Sequence, residues 1–196
     1  MKLILVRHGE TIENINRIHQ GWLPGKLSKK GKQQIKSLSS RLKSIKIDLI
    51  YTSDLGRCLE TTKEIIKYHK SAKLIKEPLL RDMSHGIFSG KSKKLKYWEK
   101  LPGPLHERKP KYGESLRDVY IRIKKFYKNL IKNKGTILIV SHGGPSAFLQ
   151  GLITKKTFEE SLKIKGLSNA SIHEFELTSK SHKIISLYDE KHLENI

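Results

Sequence analysis

Two histidines stand at equivalent places in the chain, each at the end of a short apolar run and just before a glycine. His8 follows Arg7 in the first of these segments, and His142 closes the second. A second arginine, Arg57, follows a third apolar run. Histidine can carry a phosphoryl group covalently, and guanidinium groups bind tetrahedral phosphate through paired hydrogen bonds. These residue types indicate phosphoryl transfer.

The glycines after both histidines support the same chemistry. Gly143 and its neighbour precede a short apolar helix, so their backbone N–H groups and the positive helix end can face an anion. Metal binding is the competing use of two histidines. The flanking arginines would repel a cation, and no HxH, HExxH or cysteine cluster appears. We therefore expect no metal and no cofactor.

The lone cysteine offers another nucleophile, and the spacing argues against it. A cysteine phosphatase needs an arginine six positions after the nucleophile, but Glu64 occupies that position relative to Cys58. We expect Cys58 to be a buried helix residue.

The elements that position these residues alternate between two hydrophobic periods. Strands are predicted at 2–6, 47–53, 72–75, 136–140, 171–177 and 183–188, the last two around a Thr-Ser-Lys-Ser turn, and helices at 28–44, 54–68, 115–131 and 145–152. Such alternation predicts an α/β fold, a three-layer α/β/α sandwich around a mostly parallel sheet. Ligands bind at the carboxyl ends of the strands in such a sheet, which is where the histidines and arginines converge.

Domain organisation follows from the same pattern. No repeat or low-complexity linker divides residues 1–196, so a single domain is predicted. The irregular stretch at about 83–113 is long for a connection and is typical of a lid or binding loop. Residues 91–112 hold eight Lys or Arg and two Glu, 8 − 2 = +6. This basic rim favours an anionic substrate, although a solvated lysine-rich loop explains it equally well.

The overall charge invites a nucleic-acid interpretation, because 40 Lys+Arg against 19 Asp+Glu give a formal net charge of +21. Only 8 of those 40 cations are arginine, however, and the lysines are spread along the whole chain. We therefore expect no specific nucleic-acid partner. The apolar runs are too short for a membrane span, and no signal-peptide core is present, so a cytoplasmic protein without a membrane partner is predicted. A homodimer is the one protein partner kept open.

The sequence resembles a known family at several motifs in one order. The first is Leu-Val-Arg-His-Gly-Glu-Thr-Ile-Glu-Asn at residues 5–14. Gln-Gly-Trp at 20–22, Tyr-Thr-Ser-Asp-Leu-Gly-Arg at 51–57, Gly-Glu-Ser at 113–115, Ser-His-Gly-Gly at 141–144 and Ser-Asn-Ala-Ser at 168–171 follow. Together they are similar to the histidine phosphatase superfamily, which contains cofactor-dependent phosphoglycerate mutase and fructose-2,6-bisphosphatase.

The resemblance implies a role for each matching residue. His8 is the implied nucleophile, and Arg7, Arg57 and His142 hold the phosphoryl group. The resemblance also implies a set of residues that bind the phosphate or the substrate around them, namely Asn14, the Gly143 N–H, Gln20, Gly21 and Glu10. Glu10 would orient a histidine or arginine, or form a salt bridge.

The proton donor is where the sequence departs from the family pattern. The family's donor is a Glu four residues before a glycine, and Asp82 occupies that position here. Aspartate is one methylene shorter, so its reach falls by about 1.4 Å. His85 and Glu114 are rival donors. A second departure, Pro-Gly-Lys at 24–26, affects the local substrate loop.

Phosphatase is the predicted activity, acting on phosphate monoesters of small anionic metabolites. A mutase must enclose a bisphosphorylated intermediate and exclude water, which favours a longer insertion than 83–113. Cofactor-dependent phosphoglycerate mutase is the alternative. A non-catalytic nucleic-acid-binding or scaffold protein is a further alternative, against which the complete set of two histidines and two arginines argues.

Overall fold

Six strands form one sheet within residues 1–178, 180–194 and 196, the part of the chain that the computed structural model describes. The strands are β1 (Lys2–Arg7), β2 (Leu49–Thr52), β3 (Lys73–Lys76), β4 (Thr136–Ser141), β5 (Ile172–Leu177) and β6 (His182–Asp189). Their order across the sheet is β3-β2-β4-β1-β5-β6. The first four strands run parallel, and β5 and β6 extend the sheet in antiparallel pairings.

Helices cover both faces of this sheet. They are α1 (Ile12–Ile15), α2 (Lys29–Leu42), α3 (Gly56–Ile65), α4 (Leu116–Leu130), α5 (Gly143–Ile153) and α6 (Phe158–Ser161). Ser28 caps α2 by accepting a hydrogen bond from the Gly31 N–H, and Ser115 caps α4 in a reciprocal capping box.

The core is split by the sheet into two apolar clusters. In β1, Leu3 and Leu5 pack with residues of α4 and α5, whereas Ile4 and Val6 pack with residues of α2 and α3. A strand buried on both faces needs the continuous apolar run that the sequence has at this point. The predicted three-layer α/β sandwich with a mostly parallel sheet is confirmed.

Differences from the predicted elements are small and local. The helix predicted at 54–68 begins at Gly56, and its last turn is the 3₁₀ turn Ile66–Tyr68. The stretch at 83–113 contains the 3₁₀ turns Gly86–Phe88, Lys93–Leu95 and Tyr97–Lys100. The predicted Thr-Ser-Lys-Ser turn includes Ser179, which lies outside the described residues. In the described part of the chain, no helix is long and apolar enough to cross a membrane.

Candidate active site

The carboxyl ends of three neighbouring strands bring the two histidines together. Arg7, the last residue of β1, is in register with Ser141, the last residue of β4. His8 and His142 follow directly, and their ring centroids lie 5.1 Å apart. Ser53, just after β2, joins them because β2 is the other neighbour of β4. The sheet topology thus creates the convergence that the sequence predicts.

His8 is buried and oriented for attack through one ring nitrogen. Its Nδ1 lies 2.8 Å from the Gly9 carbonyl, which can only accept, so Nδ1 carries the proton. In the neutral ring the lone pair is therefore on Nε2. Burial, followed by the charges of Arg7 and Arg57, holds the pKa of His8 well below its ordinary value. His8 is consequently a neutral imidazole at neutral pH, and its Nε2 can accept a hydrogen bond or act as a nucleophile.

Arg57 connects His8 to the loop after α1. Its side chain is fully buried, and its Nε donates to His8 Nε2 at 3.2 Å. Its terminal nitrogens donate to the carbonyls of Leu23, at 2.7 Å, and Gly21, at 2.9 Å. The guanidinium plane is thus held by backbone acceptors while its Nε faces His8 Nε2.

Arg7 approaches the same region from the side of α5. Its Nη1 donates to the Leu167 carbonyl at 2.7 Å, and its buried Nε has no partner among the described residues. A Cβ on Gly143 would lie 3.4 Å from this Nη1, so the glycine leaves room for the guanidinium beside the first turn of α5. An anion here would meet the guanidinium and the positive end of that helix together.

His142 is fully buried and anchored through its Nε2. The Ser53 hydroxyl lies 2.9 Å from this nitrogen, and the Cys58 thiol lies 3.4 Å from it. Burial first, and then the Arg57 charge, holds the pKa of His142 well below its ordinary value. Burial also raises the pKa of Cys58 to about 12, so the thiol stays protonated. Cys58 is a buried helix residue, as the sequence predicts.

Asp82 lies at the other side of Arg57, with its side chain 29% exposed. Its Oδ2 is 3.3 Å from Arg57 Nη2, and its Oδ1 accepts from the Met83 N–H at 3.0 Å. The shorter aspartate side chain therefore still reaches the group that contacts His8.

The two rival donors have other partners. Glu114 forms a paired ion bridge with Arg122, with Nε–Oε1 at 2.8 Å and Nη2–Oε2 at 3.0 Å, and it also accepts from the Ser84 N–H. His85 Nδ1 lies 2.6 Å from the Tyr97 hydroxyl, and burial lowers the pKa of His85 to about 4. Both side chains are therefore engaged with partners other than His8 and Arg57.

Glu10 contacts the residue that caps α2. Its carboxylate Oε1 accepts a hydrogen bond from the Ser28 hydroxyl at 2.7 Å, and its carbonyl accepts from the Ser28 N–H. Glu10 therefore connects the loop after β1 to the N-terminus of α2, and the role that the resemblance implies for it stays a prediction.

The remaining implied contacts divide between the nucleophile loop and Arg57. The Asn14 Oδ1 accepts from the Thr11 N–H and from the Asn169 amide, which also donates to the His8 carbonyl at 3.0 Å. Gly21 holds Arg57 through its carbonyl, and Gln20 is buried nearby.

A cleft of about 530 Å³ opens beside these groups. Arg7, Asp82 and Gly143 border it at the catalytic end. Polar and apolar side chains form the rest of its wall, namely His19, His85, Lys93, Leu116, Ala147, Phe148, Leu162 and Ile164. No group of three or more His, Cys, Asp or Glu in the described residues is arranged to hold a metal ion.

Several side chains near the site have no role predicted from the sequence. Ser53, Asn169 and Trp22 lie within the quoted motifs, and Arg122 lies outside them. Trp22 Nε1 and Arg122 Nη2 both donate to the Asp82 carbonyl, at 2.8 and 2.9 Å. Ser53 could have been found from its place at the end of a predicted strand beside the one that carries His142. The Arg122 contact spans 40 residues and has no local signal.

Comparison with known proteins adds an independent line of evidence. Residues 3–190 match the family model described as histidine phosphatase superfamily (branch 1). Phosphoserine phosphatase 1 of Hydrogenobacter thermophilus is 35% identical over 156 residues, which cover 74% of this chain and 72% of that protein. A 2,3-bisphosphoglycerate-dependent phosphoglycerate mutase of Bartonella henselae is 31% identical over 155 residues, covering 72% and 75%.

Solved structures agree with these sequence relationships. Bacillus stearothermophilus YhfR superposes with a TM-score of 0.85 at 26% sequence identity, over 98% of this chain and 99% of that chain.

Proposed function

Because this chain belongs to branch 1 of the histidine phosphatase superfamily, we propose that it is a phosphomonoesterase that acts through phosphohistidine on His8. The observation that carries the proposal is the buried His8 imidazole, whose Nε2 faces a fully buried guanidinium. The relative named phosphoserine phosphatase 1 supports hydrolysis. The substrates we propose are phosphate monoesters of small anionic metabolites.

In the first step, His8 Nε2 attacks the phosphorus atom as the bond to the ester oxygen breaks. Arg57, whose Nε already faces His8 Nε2, donates to the phosphoryl oxygens, and Arg7 and His142 contact them as well. The positive charges offset the negative charge that gathers on these oxygens in the transition state. Asp82, when protonated, gives its proton to the departing oxygen.

In the second step, water attacks the phosphorus of phosphohistidine. Asp82, now a carboxylate, accepts the proton of that water, and His8 leaves as a neutral ring. Orthophosphate is the product. The guanidiniums supply the charge that a metal ion provides in other phosphatases, so we propose that catalysis needs no metal.

The test is direct trapping of the intermediate with EDTA present throughout. A ³²P-labelled ester is mixed with the enzyme and quenched in base, where a phosphoramidate survives. We expect the label on wild-type protein and on His182→Ala, a control histidine on β6, and none on His8→Ala. Hydrolysis by His8→Ala at the wild-type rate would refute the proposal.

The mutase alternative is supported by the relative with that name. A mutase makes a different product from the same phosphoenzyme, because a phosphoglycerate molecule, instead of water, accepts the phosphoryl group. Incubation with labelled 3-phosphoglycerate and a bisphosphoglycerate primer separates the two activities. We expect orthophosphate, and 2-phosphoglycerate as the main product would favour the mutase.

Other sequence predictions stay proposals. We propose one domain over 1–196 with residues 83–113 as its lid, a cytoplasmic location and at most a homodimer as protein partner. No specific nucleic-acid partner is proposed. Limited proteolysis, cell fractionation and light scattering test the first three in turn.

A further inference from the structure

The backbone carbonyl of Asp82 is fixed by two side-chain donors. Its carbonyl accepts two hydrogen bonds, from Trp22 Nε1 at 2.8 Å and from Arg122 Nη2 at 2.9 Å. The two donors come from opposite directions in the chain, one from the loop after α1 and the other from α4. A carbonyl has two lone pairs, so both acceptor positions of this group are filled.

Arg122 is itself fixed in place. It donates from Nη1 to the Leu79 carbonyl at 2.7 Å and forms the paired bridge to Glu114. Only 12% of the Arg122 side chain and 15% of that of Glu114 are exposed. A bidentate Arg–Glu pair that is shielded from water keeps a more defined geometry than a solvated Lys–Glu pair. The segment around Asp82 is thus tied to α4.

Trp22 is held from its other side. The Arg81 guanidinium lies 4.8 Å from the centre of the indole ring, and it pairs with Asp54, with Nε–Oδ1 at 2.7 Å. The indole is 44% exposed, so burial alone does not determine its orientation. The stack on Arg81 and the bond to Asp82 together do so.

We propose that Trp22 and Arg122 are positioning residues that set the Asp82 backbone so that the short carboxyl reaches the leaving-group oxygen. This inference rests on the proposed function, with Asp82 as the donor. The step concerned transfers one proton from the Asp82 carboxyl to the ester oxygen as the P–O bond breaks. A misplacement of about 1 Å can cost about 100-fold in rate, and the missing methylene alone shortens the reach by about 1.4 Å.

The experiment measures how kcat/KM depends on the leaving group. A series of phosphate monoesters runs from 4-nitrophenyl phosphate, whose leaving group needs little protonation, to alkyl phosphates, whose leaving group needs it most. We expect Asp82→Asn to lose about 100-fold or more at the alkyl end and to steepen the dependence on leaving-group pKa.

Trp22→Phe keeps an aromatic ring to stack on Arg81 and removes the N–H donor together with the pyrrole ring. We expect a steeper dependence as well, with about a tenfold loss at the alkyl end, because one of the two donors remains. In the Asp82→Asn background, Trp22→Phe adds no further steepening of the dependence on leaving-group pKa, because the carboxyl that Trp22 positions is gone. If Trp22 had a purely structural role, Trp22→Phe would lower kcat/KM by the same factor for every ester, in wild type and in Asp82→Asn.

Arg122→Met leaves Glu114 without its partner and risks misfolding. The double variant Arg122→Met with Glu114→Gln removes both charges and keeps the test open. Trp98→Phe is the matched control, because the Trp98 indole makes no hydrogen bond to Asp82. We expect this variant to show the wild-type dependence of kcat/KM on leaving-group pKa.

The outcomes separate the two proposals. If wild-type protein hydrolyses no ester and forms no phosphohistidine, the proposed function fails. If Asp82→Asn steepens the dependence but Trp22→Phe and the double variant do not, the positioning inference alone is overturned. An unchanged dependence in Asp82→Asn overturns the donor assignment and the inference with it.

Discussion

Gly31, the third residue of α2, is the point at which this helix touches the catalytic loop. A Cβ built at Gly31 lies 2.0 Å from the Glu10 carbonyl oxygen and 2.9 Å from its carbon. Gly9 is close in return, because a Cβ there would lie 2.8 Å from the Gly31 carbonyl oxygen. The atoms that obstruct are backbone atoms, which cannot rotate away. Gly31→Ala must therefore separate the loop from the helix.

The magnitude follows from these distances. Reaching even 3.0 Å, the shortest separation that real Cβ atoms keep, requires 3.0 − 2.0 = 1.0 Å of movement. Overpacking of this kind costs about 3 kcal/mol at the upper end, and alanine returns about 1 kcal/mol through its helix propensity. The expected net loss in the free energy of unfolding is about 2 kcal/mol. For a domain of this size it lowers Tm by about 4–8 °C.

Activity should fall further than stability suggests. Glu10 is two residues from His8, and a shift of about 1 Å at the nucleophile can cost about 100-fold in rate. We expect kcat/KM of Gly31→Ala for 4-nitrophenyl phosphate to fall by that factor at 20 °C, where the variant is still folded.

The assay combines urea unfolding, a thermal scan and steady-state kinetics. Gly144→Ala is the matched control for stability, because it lies in the first turn of α5 and nothing lies within 4 Å of its added Cβ. We expect the control to be more stable than wild type by up to about 1 kcal/mol, the gain in helix propensity without the clash. A Gly31→Ala protein with wild-type stability and wild-type kcat/KM would refute the close approach on which the reasoning depends.

Three other predictions concern buried polar groups. Burial lowers the pKa of His173 to about 4, so the unfolded chain binds a proton at pH 5 that the native protein does not, and stability falls as the pH drops from 6.5 toward 4. Urea unfolding at pH 7 and pH 5 should therefore show wild type losing about 2 kcal/mol more than His173→Phe, and equal losses would contradict this. Ser53→Ala removes the hydroxyl from His142 Nε2, and we expect kcat to fall about tenfold or more, with the change of tautomer visible in ¹⁵N NMR of the imidazole and recovery in Ser53→Thr. Because burial raises the pKa of Cys58 to about 12, a thiol reagent at pH 8 should modify the protein only after unfolding, and rapid reaction of the native protein would show that the helix opens.

Much of the fold could be predicted because it depends on local pattern. The apolar run of β1 and the helical spacing in α2 and α4 lie within single segments, and burial of those residues is the dominant stabilising contribution. The alternation of strands and helices then leaves few topologies. The short 3₁₀ turns in 83–113 escaped prediction because their positions depend on contacts such as the Phe88–Tyr97 ring stack, with centroids 4.0 Å apart.

What the sequence by itself determined is the set of groups that predicts the chemistry: two histidines and two arginines at or near the ends of predicted elements, and an aspartate at a position that the family resemblance implies. Residue type sets what a group can do, and a strand end sets the edge at which it lies. What only the tertiary structure decided is which groups meet. Glu10 bonds to Ser28, and the Asp82 carbonyl is held by Trp22 and Arg122, because these pairs are separated along the chain and become neighbours only when α2 and α4 pack against the sheet.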